Sequence, residues 1–352
     1  MSKKLKVGVI GCGSISEQHL NGYANIDGVE IYALCDINEK NLKDRAAKYG
    51  VEKTYTDYNE MLKLEELDAV SVCTWNAAHK ECTVAALKAG KHVLCEKPTA
   101  MNKAEAEEMK KAAEESGKIL MIGFVRRHGN DCAVLKDFID AGDLGDIYYA
   151  KATYLRRNGN PGGWFGNKEL SGGGPLIDLG VHVIDLVKYL MGNPKPVSVY
   201  GVTYQKLFNR PEIKTKKGYT ARGGEGQPCN VEDLASALIR FDNGATLSIE
   251  ASFSLNIKND VGAIELFGTK GGSKMNPSLE IFTDRNGYLT NVSFDAPTAL
   301  SFSGLFQNEI DHFVACVRGE AENIAPIEDG VDIMAILDAV YESARTGHEV
   351  IL

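Results

Sequence analysis

A lysine set between an acid and a proline, directly after an apolar run, is placed to do chemistry. Lys97 stands so in Cys95-Glu96-Lys97-Pro98, at the end of an expected strand, where an open parallel sheet binds its ligand. Its ammonium would polarise a hydroxyl or carbonyl oxygen. The plainer alternative is a surface lysine paired with Glu96. Farther along, Asp178 and His182 lie four apart behind Gly172-Gly173-Gly174-Pro175, with Asp185 three beyond. On a helix that spacing puts all three on one face. A histidine between two carboxylates is a candidate acid–base group, or else the partner in a buried structural hydrogen bond.

A second set of residues has the chemistry of a dinucleotide site. Val7-Gly8-Val9-Ile10-Gly11-Cys12-Gly13-Ser14-Ile15-Ser16 puts a glycine turn between a strand and a helix. Gly11 permits the tight turn, Gly13 lets the backbone approach a pyrophosphate, and the helix start, through Ser14 and Ile15, offers free N–H groups. Ser16 takes the third position of the pattern, where Gly or Ala is usual. Twenty residues on, Asp36 ends the second expected strand, where its carboxylate would accept both hydroxyls of an adenosine ribose and repel a 2′-phosphate. Ile37 and Asn38 follow it rather than an arginine, so NAD is expected over NADP. The bland reading makes the glycines an ordinary turn and Asp36 a helix N-cap. The turn Thr74-Trp75-Asn76-Ala77-Ala78-His79 also follows a strand and so lies at the same carboxyl edge.

The elements that must carry these groups fall into two halves. Short β-branched runs at Lys6–Ile10, Val29–Asp36, Ala69–Cys73, His92–Cys95 and Ile119–Gly123 alternate with helical patterns, as in a doubly wound parallel sheet. One of those helices, Lys103–Ser116, has Asn102 and Glu105 at capping-box spacing and Gly117 as its stop. After Gly123 come longer alternating strands, at Ile147–Arg156, Val197–Lys206, Leu234–Phe241 and Ala245–Ile257, with Asp242-Asn243-Gly244 as a hairpin turn. A helix from Pro175 to Leu190 interrupts them, residues 210–230 form a long polar loop, and helical patterns at Gln307–Val317 and Glu328–Ala344 close the chain. The expected fold is an α/β Rossmann domain over residues 1–124, then an α+β domain over 125–352 with a large, mostly antiparallel open sheet. The last helix is a candidate to pack back on the first domain.

Taken together, these residues resemble the Gfo/Idh/MocA oxidoreductases, which include glucose–fructose oxidoreductase and inositol 2-dehydrogenase. The resemblance covers nearly the whole chain. It rests on the glycine loop, the Thr74/Asn76/His79 turn, the EKP triplet at Glu96–Pro98, Gly123-Phe124 with Arg126 and Arg127, and the run GGGPLIDLGVHVID. Trp75 stands where the family pattern has proline. The resemblance implies cofactor contacts from Gly11, Gly13, Ser14, Ile15, Asp36, Thr74, Trp75, Asn76, His79, Glu96 and Lys97, and a Lys–Asp–His arrangement of Lys97, Asp178 and His182. In such enzymes the histidine takes the proton of a substrate hydroxyl, the lysine holds the same oxygen and the aspartate orients the site. Arg126, Arg127, Tyr154, Arg156 and Trp164 are candidates to line a pocket for a cyclic polyol, sugar or glycoside. The resemblance also implies a homodimer or homotetramer, paired through the open face of the second sheet.

Bulk properties narrow the alternatives. At 352 residues, with 44% hydrophobic and 25% charged residues, the chain can fill two cores. A net charge of −9 argues against a nucleic-acid partner. The eight cysteines have neither CxxC nor zinc-like spacing and are expected to be reduced thiols of a cytoplasmic protein. No metal is expected, and no apolar run reads as a signal peptide or bilayer span. Two other functions remain: an NAD-dependent glycosidase that oxidises its substrate transiently, and a non-catalytic NAD- or sugar-sensing module.

Overall fold

The structure, a computed structural model, describes residues 4–208, 210, 212–214, 228–295, 298–299 and 301–352. Most of the expected loop at 210–230 lies outside these residues. The chain divides into two compact units: Met1–Val125 with Phe302–Val331, and Arg126–Ser301 with Asp332–Leu352.

In the first unit the elements run β1 (Leu5–Ile10), α1 (Ser16–Ala24), β2 (Val29–Cys35), α2 (Glu39–Tyr49), β3 (Lys53–Tyr55), α3 (Tyr58–Leu62), β4 (Ala69–Val72), α4 (His79–Lys88), β5 (His92–Glu96), α5 (Lys103–Ser116) and β6 (Leu120–Gly123). The strands form one parallel sheet in the order β3-β2-β1-β4-β5-β6. Its direction of winding reverses between β1 and β4, the position where doubly wound sheets bind ligands. Val7, Val9, Val70, Val72, Val93 and Leu94 are all buried, because a parallel sheet is covered on both faces. The caps follow the sequence: Asn102 accepts the Glu105 N–H, Glu105 in turn accepts that of Met101, and Gly117 ends α5 in the left-handed region.

The second unit opens with α6 (Asn130–Asp140), β7 (Ile147–Leu155), the single turn α7 (Lys168–Ser171) and α8 (Val181–Leu190). It continues through β8 (Pro196–Tyr204), β9 (Leu234–Phe241), β10 (Thr246–Ser252), β11 (Val261–Gly268), β12 (Gly271–Met275), β13 (Glu280–Arg285) and β14 (Tyr288–Ser293). Of the last elements, α9 (Phe302–Arg318) belongs to the first unit, α10 (Ile327–Thr346) spans the boundary and β15 (Val350–Ile351) belongs to the second. The nine strands form one sheet, β14-β13-β12-β11-β7-β10-β9-β8-β15, in which only the β7–β10 pair is parallel. The register makes its two faces unlike. Val199, Ile239, Leu247, Ala150 and Leu266 align across five strands and are all buried. One residue away, Tyr200, Leu238, Ser248 and Lys151 form the opposite row, with Tyr200 and Leu238 exposed. That alternation is the period of a one-sided sheet.

Two expectations need correction, and one part of the second sheet was not foreseen. The helix that returns to the first unit is α9, which packs along α1; the boundary between units falls inside α10, and β15 joins the second sheet. Strands β11 to β14 were not foreseen. The stretch Lys168–Leu190 passes the length and composition test for a bilayer span, against the reading of the sequence, but 78% of its apolar window is buried inside the protein. It is core, with α8 packed on β7 and β11.

Candidate active site

At the carboxyl edge of the parallel sheet the glycine loop is held in shape by its neighbours. Gly11 has φ of +92°, and a Cβ there would lie 2.6 Å from the Cys73 carbonyl oxygen, so no other residue fits. A Cβ at Gly13 would meet nothing within 4 Å, which leaves the loop backbone open to a ligand. Ser16 ties the turn down: it is buried, and its hydroxyl donates to the Gly13 carbonyl at 2.7 Å. Arg45 of α2 donates to the same carbonyl at 3.2 Å and pairs with Glu17. Asp36, half-buried, accepts the Cys12 N–H at 2.6 Å through Oδ2 and the Asn38 N–H through Oδ1. The cap of α2 is Asn38, which accepts from Lys40 and Asn41. Asp36 therefore belongs to the loop and not to the helix, and the cradle fits a dinucleotide.

The β4 and β5 turns are tied together by His79. Its ring is fully buried, with Nδ1 2.7 Å from the Pro98 carbonyl and Nε2 3.3 Å from that of Thr74. Burial pushes its pKa down, so the ring is neutral with a single N–H to donate, and the shorter contact makes the Pro98 carbonyl its acceptor. Asn76 is buried beside it, while Thr74 and Trp75 are accessible. The expectation of a direct cofactor contact needs revision at His79, which supports the turns from below, and at Glu96. The Glu96 carboxylate points away from the edge into the protein, where Oε1 lies 2.9 Å from Nε2 of His19 and Oε2 accepts the Lys97 N–H at 3.1 Å. Burial opposes its ionisation, but the hydrogen bond and charge of His19, with the charge of Lys97, hold its pKa below the usual carboxylate value. Lys97, half-buried, begins the turn beyond β5.

In the second unit, Asp178 lies within a wide turn, Leu176–Gly180, that runs straight into α8; there the Val181 N–H bonds to the carbonyl of Leu176, five residues back. Such insertions recur at functional sites. Glu232, just before β9, anchors the approach to it. The buried carboxylate accepts the N–H groups of Gly174 and Leu176 and the hydroxyl of Tyr341. A Cβ at Gly174 would lie 2.4 Å from the Glu232 carbonyl, and one at Gly173 would lie 2.0 Å from the Tyr341 hydroxyl. The glycines before Pro175 thus let this turn press against β9 and α10. From Gly173 to Lys188 only Asp178 and His182 are not fully buried. Asp185 leaves the expected stripe: Arg127 donates to it through both Nε and Nη2, and the guanidinium also covers the Tyr189 ring at 4.7 Å.

The comparisons with known proteins agree with this construction. Residues 5–124 match the family described as the oxidoreductase family with an NAD-binding Rossmann fold, and residues 136–352 match its C-terminal alpha/beta domain. The chain belongs to the Gfo/Idh/MocA family. Among its relatives, D-glucoside 3-dehydrogenase of Escherichia coli K12 is 37% identical, over 99% of this chain and 98% of that one. Levoglucosan dehydrogenase of Pseudarthrobacter phenanthrenivorans is 29% identical, over 97% and 96%. A solved levoglucosan dehydrogenase in complex with NADH and levoglucosan superposes with a TM-score of 0.84, at 25% identity and 99% coverage of both chains.

As a Gfo/Idh/MocA oxidoreductase, the chain carries its substrate-side candidates in its second unit. Arg127 is removed from that set, because its guanidinium is fully buried on Asp185. Arg126, half-buried, stands 4.0 Å from Asp131. Arg156 lies over the Tyr154 ring and donates to the Gly159 carbonyl; Trp164 stacks on Phe165 with ring centroids 3.9 Å apart. These four retain accessible surface. Sequence reasoning missed Glu232, Tyr341, Arg45, His19 and Glu309. Only Glu309 left a local signal, as an acid inside the apolar stripe Phe306, Ile310, Phe313 of α9.

Proposed function

We propose that the protein oxidises a secondary ring hydroxyl of a glycoside, anhydrosugar or cyclic polyol, with NAD as acceptor. The observation that carries this reading is the partial exposure of Asp178 and His182 alone on an otherwise buried helix start. Polar groups kept accessible in apolar surroundings are there to meet a ligand. Gly11, Gly13, Ser14 and Ile15 would hold the pyrophosphate, and Asp36 the adenosine ribose. When bound, NAD supplies a hydride acceptor. His182 takes the hydroxyl proton, Asp178 orients it, and the Lys97 ammonium stabilises the negative charge that develops on the oxygen. With a lysine and a histidine in these roles no metal is needed, so activity should survive chelation.

The relatives' names favour a dehydrogenase over the glycosidase and sensing alternatives, and two of them name a glucoside or levoglucosan as the substrate. The test is a screen of alkyl glucosides, levoglucosan, inositols and aldoses for NADH formation. Release of free sugar without NADH would make the protein a glycosidase, and binding without turnover across the panel a sensor. In the same assay Asp36→Ser should weaken NAD use and improve relative NADP use; wild-type preference for NADP would overturn the assignment of Asp36. A cytoplasmic location is supported by the eight unpaired cysteines. Pairing of copies through the accessible sheet face is supported by exposed Tyr200 and Leu238.

A further inference from the structure

Beneath the turn that carries Lys97 lies a buried polar cluster that the proposed reaction does not use. Tyr23 and His19 of α1 meet Ser71 of β4, the phenol 2.7 Å and the imidazole Nδ1 3.1 Å from its hydroxyl. The other ring nitrogen of His19 meets Glu96 at 2.9 Å, and Glu96 holds the Lys97 main chain. Glu309 of α9 completes the group. It is 0% exposed, neither of its oxygens has a hydrogen-bond partner among the described residues, and one of them lies within 4.8 Å of a ring nitrogen of His19 and a carboxylate oxygen of Glu96. Phe306, one turn earlier on α9, packs on the His19 ring at 5.9 Å.

Two carboxylates this close in a dry interior cannot both be ionised without a compensating cation. A proton on one of them is the simplest compensation, and the choice between them is decided locally. Glu96 has the His19 ring, the Lys97 N–H and the Lys97 charge to favour its anion. Glu309 shares the cluster with the His19 ring but has no hydrogen bond to it, and burial followed by the charge of Glu96 drives its pKa well above the ordinary value. The other titratable groups here, Tyr23 and Cys73, are themselves pushed up by burial and remain neutral.

We propose that Glu309 is a positioning residue for Lys97: as a protonated acid it shares its proton with Glu96, directly or through one bridging water, and so fixes the carboxylate that carries the lysine. Through it, α9 sets both the placement and the counter-charge of the ammonium. The proposal rests on the reading of Lys97 as the group that holds the substrate oxygen.

The test compares Glu309→Gln, which still donates, with Glu309→Leu, which fills the space without a donor. Glu309→Leu should lower kcat about 10-fold or more with NAD affinity unchanged, and Glu309→Gln should recover most of that loss. Added to Lys97→Ala, Glu309→Leu should cost nothing further. If Glu309 merely fills space, exchanging it for leucine raises stability and leaves kcat untouched, and the proposal falls. An inactive Lys97→Ala beside a fully active Glu309→Leu would sink this inference alone; an active Lys97→Ala would sink the reading of Lys97 itself. Infrared difference spectra of wild type minus Glu309→Gln at neutral pH decide the proton even if the leucine variant fails to fold. A protonated-carboxyl band supports the proposal. A carboxylate band, or a stoichiometric divalent ion in the purified protein, overturns it.

Discussion

Lys97 and His182 differ in what their loss should reveal, because one supplies charge and the other moves a proton. Each substitution by alanine should cut turnover by about 10²–10⁴-fold, while NAD affinity stays near that of wild type. Oxidation by wild type should rise with pH as His182 loses its proton. That limb should persist in Lys97→Ala and vanish in His182→Ala, as read from kcat against pH; a His182→Ala enzyme with an unchanged profile would remove His182 from the mechanism. Glu309 makes a separate prediction, in stability. Its raised pKa means that the folded chain keeps a proton the unfolded chain has already released. Its contribution is therefore full below the unfolded value of about 4.3 and is lost as pH rises toward the folded one, by up to about 1.4 kcal/mol per pH unit. Glu309→Gln lacks that loss. Urea unfolding at about pH 5 and about pH 7 should show the variant gaining on wild type as pH rises, and a gap that does not move with pH would place an ionised Glu309 in the folded chain.

Among the elements, the wide turn ahead of α8 depends most on a residue far from it in sequence. Glu232 alone accepts from Gly174, Leu176 and Tyr341, so Glu232→Ala strands three donors at once. Each orphaned buried donor costs about 1–3 kcal/mol, and Asp178 sits two residues beyond the released N–H of Leu176. Both thermal stability and kcat should drop in Glu232→Ala, with a smaller loss in Tyr341→Phe, which removes one bond. Loss of stability with full turnover would separate the anchor from the chemistry. The buried pair of Arg127 and Asp185 acts on the same helix, and keeps that guanidinium inside the second unit.

For the whole molecule, the two faces of the nine-stranded sheet make opposite demands. One is closed by apolar side chains, and the other presents Tyr200 at 50% and Leu238 at 44% exposure in one row. Large apolar groups gathered on a sheet face point to association. Leu238→Lys should shift the sedimentation profile toward smaller species if copies pair through this face, with secondary structure retained by circular dichroism. An unchanged profile across protein concentrations would direct the contact elsewhere.

Local rules were enough for much of this protein. The glycine loop, the parallel strands, the caps of α5, the hairpin at Gly244 and the candidates Lys97, Asp178 and His182 were legible because backbone sterics, hydrophobic period and short motifs act within a few residues. Strands β11 to β14 were not, since β14 alternates between exposed and half-buried residues and carries little apolar signal. The tertiary structure alone decided where polar groups turn when they are buried. Glu96 faces His19, Arg127 faces Asp185, Glu232 reaches the turn before α8, and α9 returns to α1 across 278 residues of sequence from Ala24 to Phe302. A buried polar atom must find a partner wherever the fold brings one, and that partner is set by the packing of distant elements rather than by spacing along the chain.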